Sequence, residues 1–155
     1  MLIVVGFFAL SNGIHVPTIK TLPDNSTMRT NHIVYQTFLQ CQGGEALTAK
    51  LRIFAPVRTA VLPDMTVAFI IAKGHFAPGD TIYLDAYVLN PFPGDPSDDH
   101  YEDPIPDCPY PFVFVIGQVT SIDNSSVNHP AINILATEYI REQFVQSTLQ
   151  YVSSC

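Results

Sequence analysis

Apolar and polar residues alternate with a period of two in several stretches of the chain. In 46–56, alternate residues would face a core (Leu51, Ile53, Ala55) or solvent (Lys50, Arg52, Phe54). In 81–90, the same pattern predicts an inward set (Ile82, Leu84, Ala86, Val88) and an outward set (Tyr83, Asp85, Tyr87). No alternation of strands with long helical patterns is visible, so the sequence predicts an all-β fold without a parallel α/β sheet.

Eight strands are predicted in a single domain spanning 1–155. They are 2–10, 31–41, 46–56, 66–73, 81–90, 113–123, 132–140 and 143–152, and 11–30 is expected to be a loop. The segment 136–149 also fits an amphipathic helix, but two strands are the preferred interpretation. A chain of 155 residues can bury roughly 70% of the surface of its unfolded state, so a core without disulfides is expected.

Gly117 interrupts the apolar run of the predicted strand 113–123. Glycine weakens the interior of a strand unless the chain bends, bulges or is closely approached there. We therefore expect this strand to turn a corner, as strands that coil through a small barrel do.

The formal net charge of −7 is concentrated in one segment. Residues 91–112 contain six acids, seven prolines and no Lys or Arg, and the remaining chain has seven bases and eight acids. Proline excludes helix and central strand over most of this segment, so it is predicted to be a long acidic loop. It is interpreted either as a solvated insertion or as a mobile acidic flap that competes with phosphate for a basic groove or binds a basic partner.

Motifs for metal, cofactor and catalytic sites are lacking in the sequence. Cys41, Cys108 and Cys155 form no CxxC pair and are expected to be free thiols. A single disulfide between two of them is the alternative. The five histidines show no metal-ligand spacing, and no nucleotide-binding or hydrolase motif occurs. We therefore expect a non-enzymatic protein with no cofactor and no metal.

The strand 113–123 with its glycine, its partner at 132–140 and the run TVAFIIAKGHFAPGDTIYLDA resemble OB-fold domains. These are five-stranded Greek-key barrels found in single-strand nucleic-acid-binding proteins such as replication protein A and telomere end-binders. The segment TEYIRE after a barrel strand is also similar to small uncharacterised fungal proteins. The resemblance implies an OB-like barrel with a binding surface.

A basic and aromatic sheet face is the predicted binding site. It comprises Lys50, Arg52, Phe54, Lys73, Tyr83 and Tyr87, which would hold phosphates and stack on bases if their strands are neighbours. The same residues would also suit the solvated side of a sheet without any ligand.

Two functions from different classes follow from this pattern. The first is binding of single-stranded nucleic acid, with strong salt dependence and an intracellular, nuclear location. The second is protein assembly by a barrel or sandwich, with a homo-oligomer or another protein as partner and no membrane. An extracellular domain with a cleaved leader at 1–11 is a further alternative, and otherwise 2–10 is a strand.

Overall fold

The residues that the structure describes form ten strands and no helix. The computed structural model describes residues 1–41, 43–76, 81–123, 131–140 and 143–152. The strands are β1 (Leu2–Ala9), β2 (Ser11–Thr21), β3 (Thr27–Gln40), β4 (Ala46–Phe54), β5 (Val67–Phe76), β6 (Ile82–Pro91), β7 (Phe112–Val115), β8 (Gln118–Asp123), β9 (Ala131–Ile140) and β10 (Gln143–Val152). The expected all-β class is confirmed.

The first six strands form an OB-like barrel. The large sheet has the order β2-β3-β4-β6-β5-β1-β7, in which only β4 and β6 are parallel. Strands β1 and β2 are consecutive halves of one long strand. They lie at the two ends of the series β2-β3-β4-β6-β5-β1, so the continuous chain joins these ends. Counting that strand once gives five strands in a Greek-key arrangement, which is the OB architecture that the resemblance implied.

The sharp corner of the barrel lies between β1 and β2. The pairing of β2 with β3 shifts register between Ser11 and Ile14, and Asn12 adopts a positive φ of 52°. A Cβ on Gly13 would lie 2.3 Å from Val61 and 2.6 Å from Tyr35, so only glycine allows this close approach. The corner lets β1 pair with β5 while β2 pairs with β3.

The barrel interior is filled by the inward residues of these strands. The core cluster consists of Val4, Phe8, Leu10, Ile33, Tyr35, Leu39, Ala49, Leu51, Ala55, Ala68, Ile70, Ala72, Ile82 and Leu84. Leu51 and Ala55 are buried as predicted, with Ile53 packed against the cluster. The buried Tyr35 hydroxyl accepts a hydrogen bond from Leu62 N–H at 3.0 Å, which ties the loop between β4 and β5 to the core.

Gly117 marks the point where the chain changes sheets. Strand β7 pairs with β1 in the large sheet, and β8 pairs with β9 in a second sheet of order β10-β9-β8. A Cβ on Gly117 would lie 2.4 Å from the carbonyl oxygen of Leu135. The expected corner at this glycine is therefore present, and it separates two strands where a single one was predicted.

Residues 136–140 and 143–149 are extended, as the preferred interpretation predicts, and 141–142 lie outside the described residues. They belong to the antiparallel pair β9–β10, with Ser147 opposite Ala136 and Leu149 opposite Ile134. Ala136 and Ser147 are buried, whereas Gln146 and Thr148 are exposed. The helix alternative is thus wrong.

The segment 92–111 contains no strand or helix and crosses the barrel as a series of turns. Asp95 accepts hydrogen bonds from the Ser97 N–H and hydroxyl at 2.9 and 2.7 Å. Tyr101 is buried, and its hydroxyl accepts a hydrogen bond from Val67 N–H at 3.1 Å. The loop is therefore anchored at the start of β5.

Two strand predictions need correction. Residues 11–30 are mostly β-structure, since β2 and β3 form a hairpin that begins well before 31. In β6, a register shift opposite Ile71 and Ala72 leaves Tyr87 as the extra residue. Val88 then lies opposite Ile71, which belongs to the outside of the barrel, so its predicted inward orientation is wrong.

Candidate nucleic-acid interface

Strands β3, β4 and β6 carry a mixed polar and aromatic surface on the outside of the barrel. Lys50 lies opposite Tyr83, and Arg52 lies opposite Asp85, in the parallel pair of β4 and β6. Directly opposed residues point to the same side of a sheet. We call this surface the polar face and define it as His32, Gln36, Lys50, Arg52, Phe54, Tyr83, Asp85 and Tyr87. Five of the six predicted site residues lie on it.

One end of the polar face presents exposed aromatic rings. Ile53 lies opposite Ala86, so Phe54 and Tyr87 come at the same level on neighbouring strands. Their side chains are 62% and 64% exposed. The His32 ring meets Phe54 edge to face, with centroids 6.1 Å apart and planes at 83°. This geometry leaves the Phe54 and Tyr87 rings open to solvent, where a planar ligand can stack on them.

A second aromatic pair lies toward the other end of the face. The His75 ring of β5 stacks on Tyr83 with centroids 5.1 Å apart and an angle of 13° between planes. Along β6, Tyr83 and Tyr87 are about 13 Å apart at the rise of an extended strand. The rings therefore form two separated platforms on one surface.

The charges between these platforms are partly neutralised. Arg52 donates two hydrogen bonds to Asp85, from Nε to Oδ1 at 2.9 Å and from Nη2 to Oδ2 at 2.8 Å. Such a bidentate pair fixes the orientation of the guanidinium relative to the carboxylate. Lys50 is exposed and, within the described part of the chain, forms no ion pair. The face thus carries a net charge of +1 from Lys50, Arg52 and Asp85.

Lys73 is brought to a different contact. Its Nζ lies 2.6 Å from Glu138 Oε2 and 3.1 Å from the carbonyl oxygen of Tyr139. Both acceptors belong to β9, so Lys73 joins the second sheet to the barrel. Lys73 also lies opposite Asp85 in the β5–β6 pair, so it borders the polar face while its ammonium group is held by Glu138.

Glu138 is the buried centre of this junction. It is 5% exposed, and its Oε1 accepts hydrogen bonds from Leu2 N–H at 2.9 Å and from the Met1 amino group at 3.0 Å. Burial alone would raise the pKa of Glu138. The hydrogen bonds and positive charges of Lys73 and the amino group outweigh burial and hold that pKa below its usual range.

Sequence reasoning missed three residues that shape the polar face. Asp85 was assigned an outward position but no role, and it is the partner of Arg52. The sequence places His32 in the predicted strand 31–41 without a role and His75 beyond the predicted strand 66–73, whereas His75 lies within β5 and both rings contact aromatic side chains.

Neither a metal site nor a membrane-spanning helix occurs among the described residues. They contain no group of three or more His, Cys, Asp or Glu side chains placed to hold a metal ion. Among them, no helix has the length and apolar character needed to cross a membrane.

The chain was also compared with known proteins. No family model matches it, and no curated protein matches it. Among solved structures, it is similar to a deletion mutant of the single-stranded DNA binding protein from Thermus aquaticus, with 10% sequence identity and a TM-score of 0.45. That match covers 97% of this chain and 74% of the other chain.

Proposed function

We propose that the protein is a non-enzymatic module that binds single-stranded nucleic acid on its polar face. The observation that carries the proposal is the exposure of Phe54 and Tyr87, which directly follow the opposed residues Ile53 and Ala86, beside Lys50 and Arg52 on the outer surface of β4 and β6. Aromatic rings stack on any base, and each stack contributes about 1–3 kcal/mol. Lys50 and Arg52 supply the positive charge that a phosphate backbone requires.

The ion pairs on and beside this face set the expected salt dependence. Each phosphate neutralised on a single strand contributes a slope of about −0.7 to the plot of log K against log salt concentration. Lys50 alone gives about −0.7, and Lys50 with Arg52 gives about −1.4. This salt dependence is weaker than the strong dependence predicted from the sequence, because Lys73 pairs with Glu138 and Arg52 pairs with Asp85.

The acidic loop is not part of the proposed site. Six loop residues (Glu102, Ile105, Pro106, Asp107, Cys108 and Pro109) line a cleft together with Phe7, Ala9 and Val67, which belong to β1 and β5. Competition of this loop with phosphate therefore has no support from its described contacts. We assign affinity to stacking on Phe54 and Tyr87, supplemented by Lys50.

Fluorescence anisotropy with a labelled oligothymidine tests the proposal. We expect saturable binding at low salt with a dissociation constant on the order of 10 μM, and weaker binding of a duplex, whose bases are already stacked on each other. Lys50→Ala should make the salt slope less steep by about 0.7. Absence of any anisotropy change at low salt, or a salt slope that Lys50→Ala leaves unchanged, would overturn the proposal.

A further inference from the structure

A small pocket opens at one end of the barrel, beside the polar face. It lies between the ends of β4 and β6 and the loop that joins β4 to β5, and its volume is about 200 Å³. Phe54, one of the two open rings of the polar face, forms part of its wall. The pocket is therefore continuous with the proposed binding surface.

The wall of this pocket is apolar and uncharged. Its lining residues include no Asp, Glu, Lys, Arg or His, and the aliphatic ones come from three strands and the loop. They are Ile33, Ile53, Ala55, Ala60, Leu62 and Leu89. Such a wall admits an uncharged ring and excludes a phosphate or carboxylate group, because burying a charge without a partner is costly.

One polar group of the pocket has a hydrogen available for a ligand. Tyr35 is 2% exposed, and its hydroxyl oxygen accepts a hydrogen bond from Leu62 N–H at 3.0 Å. Both residues line the pocket. A tyrosine hydroxyl can donate as well as accept, and within the described part of the chain this hydroxyl donates no hydrogen bond. It can therefore donate to an acceptor atom on a ligand.

We infer that the pocket takes one unpaired pyrimidine base of a strand that lies on the polar face. The inference rests on the proposed function. A pyrimidine carries a carbonyl oxygen that can accept from the Tyr35 hydroxyl, whereas adenine has no carbonyl oxygen and guanine has two fused rings. Pockets for drug-sized ligands begin at about 300 Å³, so a volume of about 200 Å³ suits a single ring.

A base can enter this pocket only from a single strand. In a duplex, the hydrogen-bonding edge of the base is paired and its ring is stacked between neighbours, so entry would require unpairing and unstacking. The uncharged wall keeps the sugar and phosphate outside the pocket, on the polar face. The next base of the strand can then stack on the Phe54 ring, which serves both the pocket and the open surface.

Anisotropy titrations of the full chain with oligothymidine and oligodeoxyadenosine of equal length test the inference. We expect oligothymidine to bind about tenfold more tightly, because only its bases offer a carbonyl oxygen to Tyr35. Tyr35→Phe keeps the ring and removes the hydroxyl, so it should reduce this preference about three- to tenfold. Comparing both oligonucleotides on each variant cancels the stacking of adenines on one another within the free strand.

A second variant fills the pocket without touching the core. Ala60 lines the pocket from an exposed loop position, so Ala60→Leu should weaken oligothymidine binding about five- to tenfold and leave oligodeoxyadenosine binding unchanged. The matched control is Ala46→Leu, at an exposed alanine of the opposite end of β4, which should bind both oligonucleotides like the unmodified protein. If circular dichroism shows that Tyr35→Phe unfolds the barrel, Ala60→Leu decides alone.

The outcomes separate this inference from the proposed function. Equal affinity of the unmodified protein for the two oligonucleotides overturns the inference while the proposed function stands. A preference for oligothymidine that Ala60→Leu leaves intact, or that Ala46→Leu reduces to the same extent, also overturns it. Absence of binding to either oligonucleotide at low salt overturns the proposed function and this inference together.

Discussion

The barrel has two contrasting outer surfaces, the polar face and an apolar face on β1, β5 and β7. The apolar face comprises Ile3, Val5, Phe7, Phe69, Ile71, Phe112, Phe114 and Ile116. The two surfaces differ in the pattern of apolar and polar residues along their strands. Strand β4 alternates strictly, so its inner residues fill the core and its outer residues meet solvent. Strand β1 is apolar on both sides, and β5 is apolar on both sides as far as Ile71, after which Lys73 and His75 lie on its outer side. A strand that is apolar on both sides requires cover on both sides. The comparison teaches that the core needs only half of the apolar residues in β1 and β5.

What covers the apolar side differs along its length. Lys73 at one end of β5 is covered by Glu138 of β9, and the acidic loop lies near Phe7 at the other end. Between these ends, Phe112 and Phe114 remain exposed. The polar face needs no such cover, because Lys50 and the Arg52–Asp85 pair are stable in water.

The largest effect is expected from removing both open rings of the polar face. Phe54→Ala with Tyr87→Ala deletes two stacks of about 1–3 kcal/mol each, so oligonucleotide affinity should fall by roughly 30-fold or more. Phe112→Ala, an equally exposed ring on the apolar face, is the matched control and should leave affinity unchanged in anisotropy titrations. Equal losses of oligonucleotide affinity in the two variants would show that binding does not distinguish the polar face from the apolar face.

Gly117→Ala should disturb the junction where β7 leaves the apolar face. The added Cβ would lie 2.4 Å from the Leu135 carbonyl oxygen, so the backbone must shift, at a cost of about 2–3 kcal/mol. Thermal unfolding should show a melting temperature lower by about 5–10 °C. Gly43→Ala is the control, because a Cβ there meets nothing within 4 Å. Similar melting temperatures for both variants would contradict the close approach at Gly117.

Glu138→Gln should weaken the ionic junction that covers Lys73. Losing the carboxylate leaves Lys73, which is 21% exposed, without its ion pair, and we expect a cost of about 1–2 kcal/mol at neutral pH. Because folding lowers the pKa of Glu138, its contribution is present above the unfolded pKa of about 4.3 and is lost as pH falls through the lower folded pKa.

Chemical unfolding at a series of pH values measures this contribution. The difference in unfolding free energy between the unmodified chain and Glu138→Gln should be largest near neutral pH and should shrink as pH falls below about 4. Asp99→Asn, at an exposed carboxylate of the acidic loop, serves as a comparison. A difference that does not depend on pH would show that Glu138 stabilises the junction without its charge.

Asp85→Asn should have the smallest effect and the opposite sign. It removes the carboxylate that accepts both hydrogen bonds from Arg52, so the guanidinium becomes available to a phosphate. Oligonucleotide affinity should rise about two- to fivefold, and the salt slope should steepen by about 0.7. Weaker binding by this variant would indicate that the ion pair is needed to shape the polar face.

The sequence predicted the alternating strands better than the irregular ones. Lys50, Arg52 and Phe54 face outward because β4 follows an undisturbed period of two. Strand β2 was missed because it is an edge strand whose residues are mostly exposed, and an edge tolerates Pro17. The predicted inward orientation of Val88 was wrong because a bulge shifts the alternation by one residue. No residue type in 81–90 indicates that bulge.

The outward position of the candidate residues was predictable from the strand pattern, whereas the partners of their charges were not. Strand patterns could place Arg52 and Lys73 on an outer surface, but they could not show which carboxylates approach them. Asp85 lies 33 residues from Arg52, and Glu138 comes from a second sheet whose position depends on the corner at Gly117. Contacts over such sequence distances follow from the three-dimensional packing of the sheets.

The most direct test of the two-face account is an amide NMR titration with oligothymidine at low protein concentration. We expect chemical shift changes in β3, β4 and β6, centred on Lys50, Phe54 and Tyr87, and unchanged positions for the amides of Phe112 and Phe114. Shift changes centred on β7, or spread equally over both faces, would contradict the account.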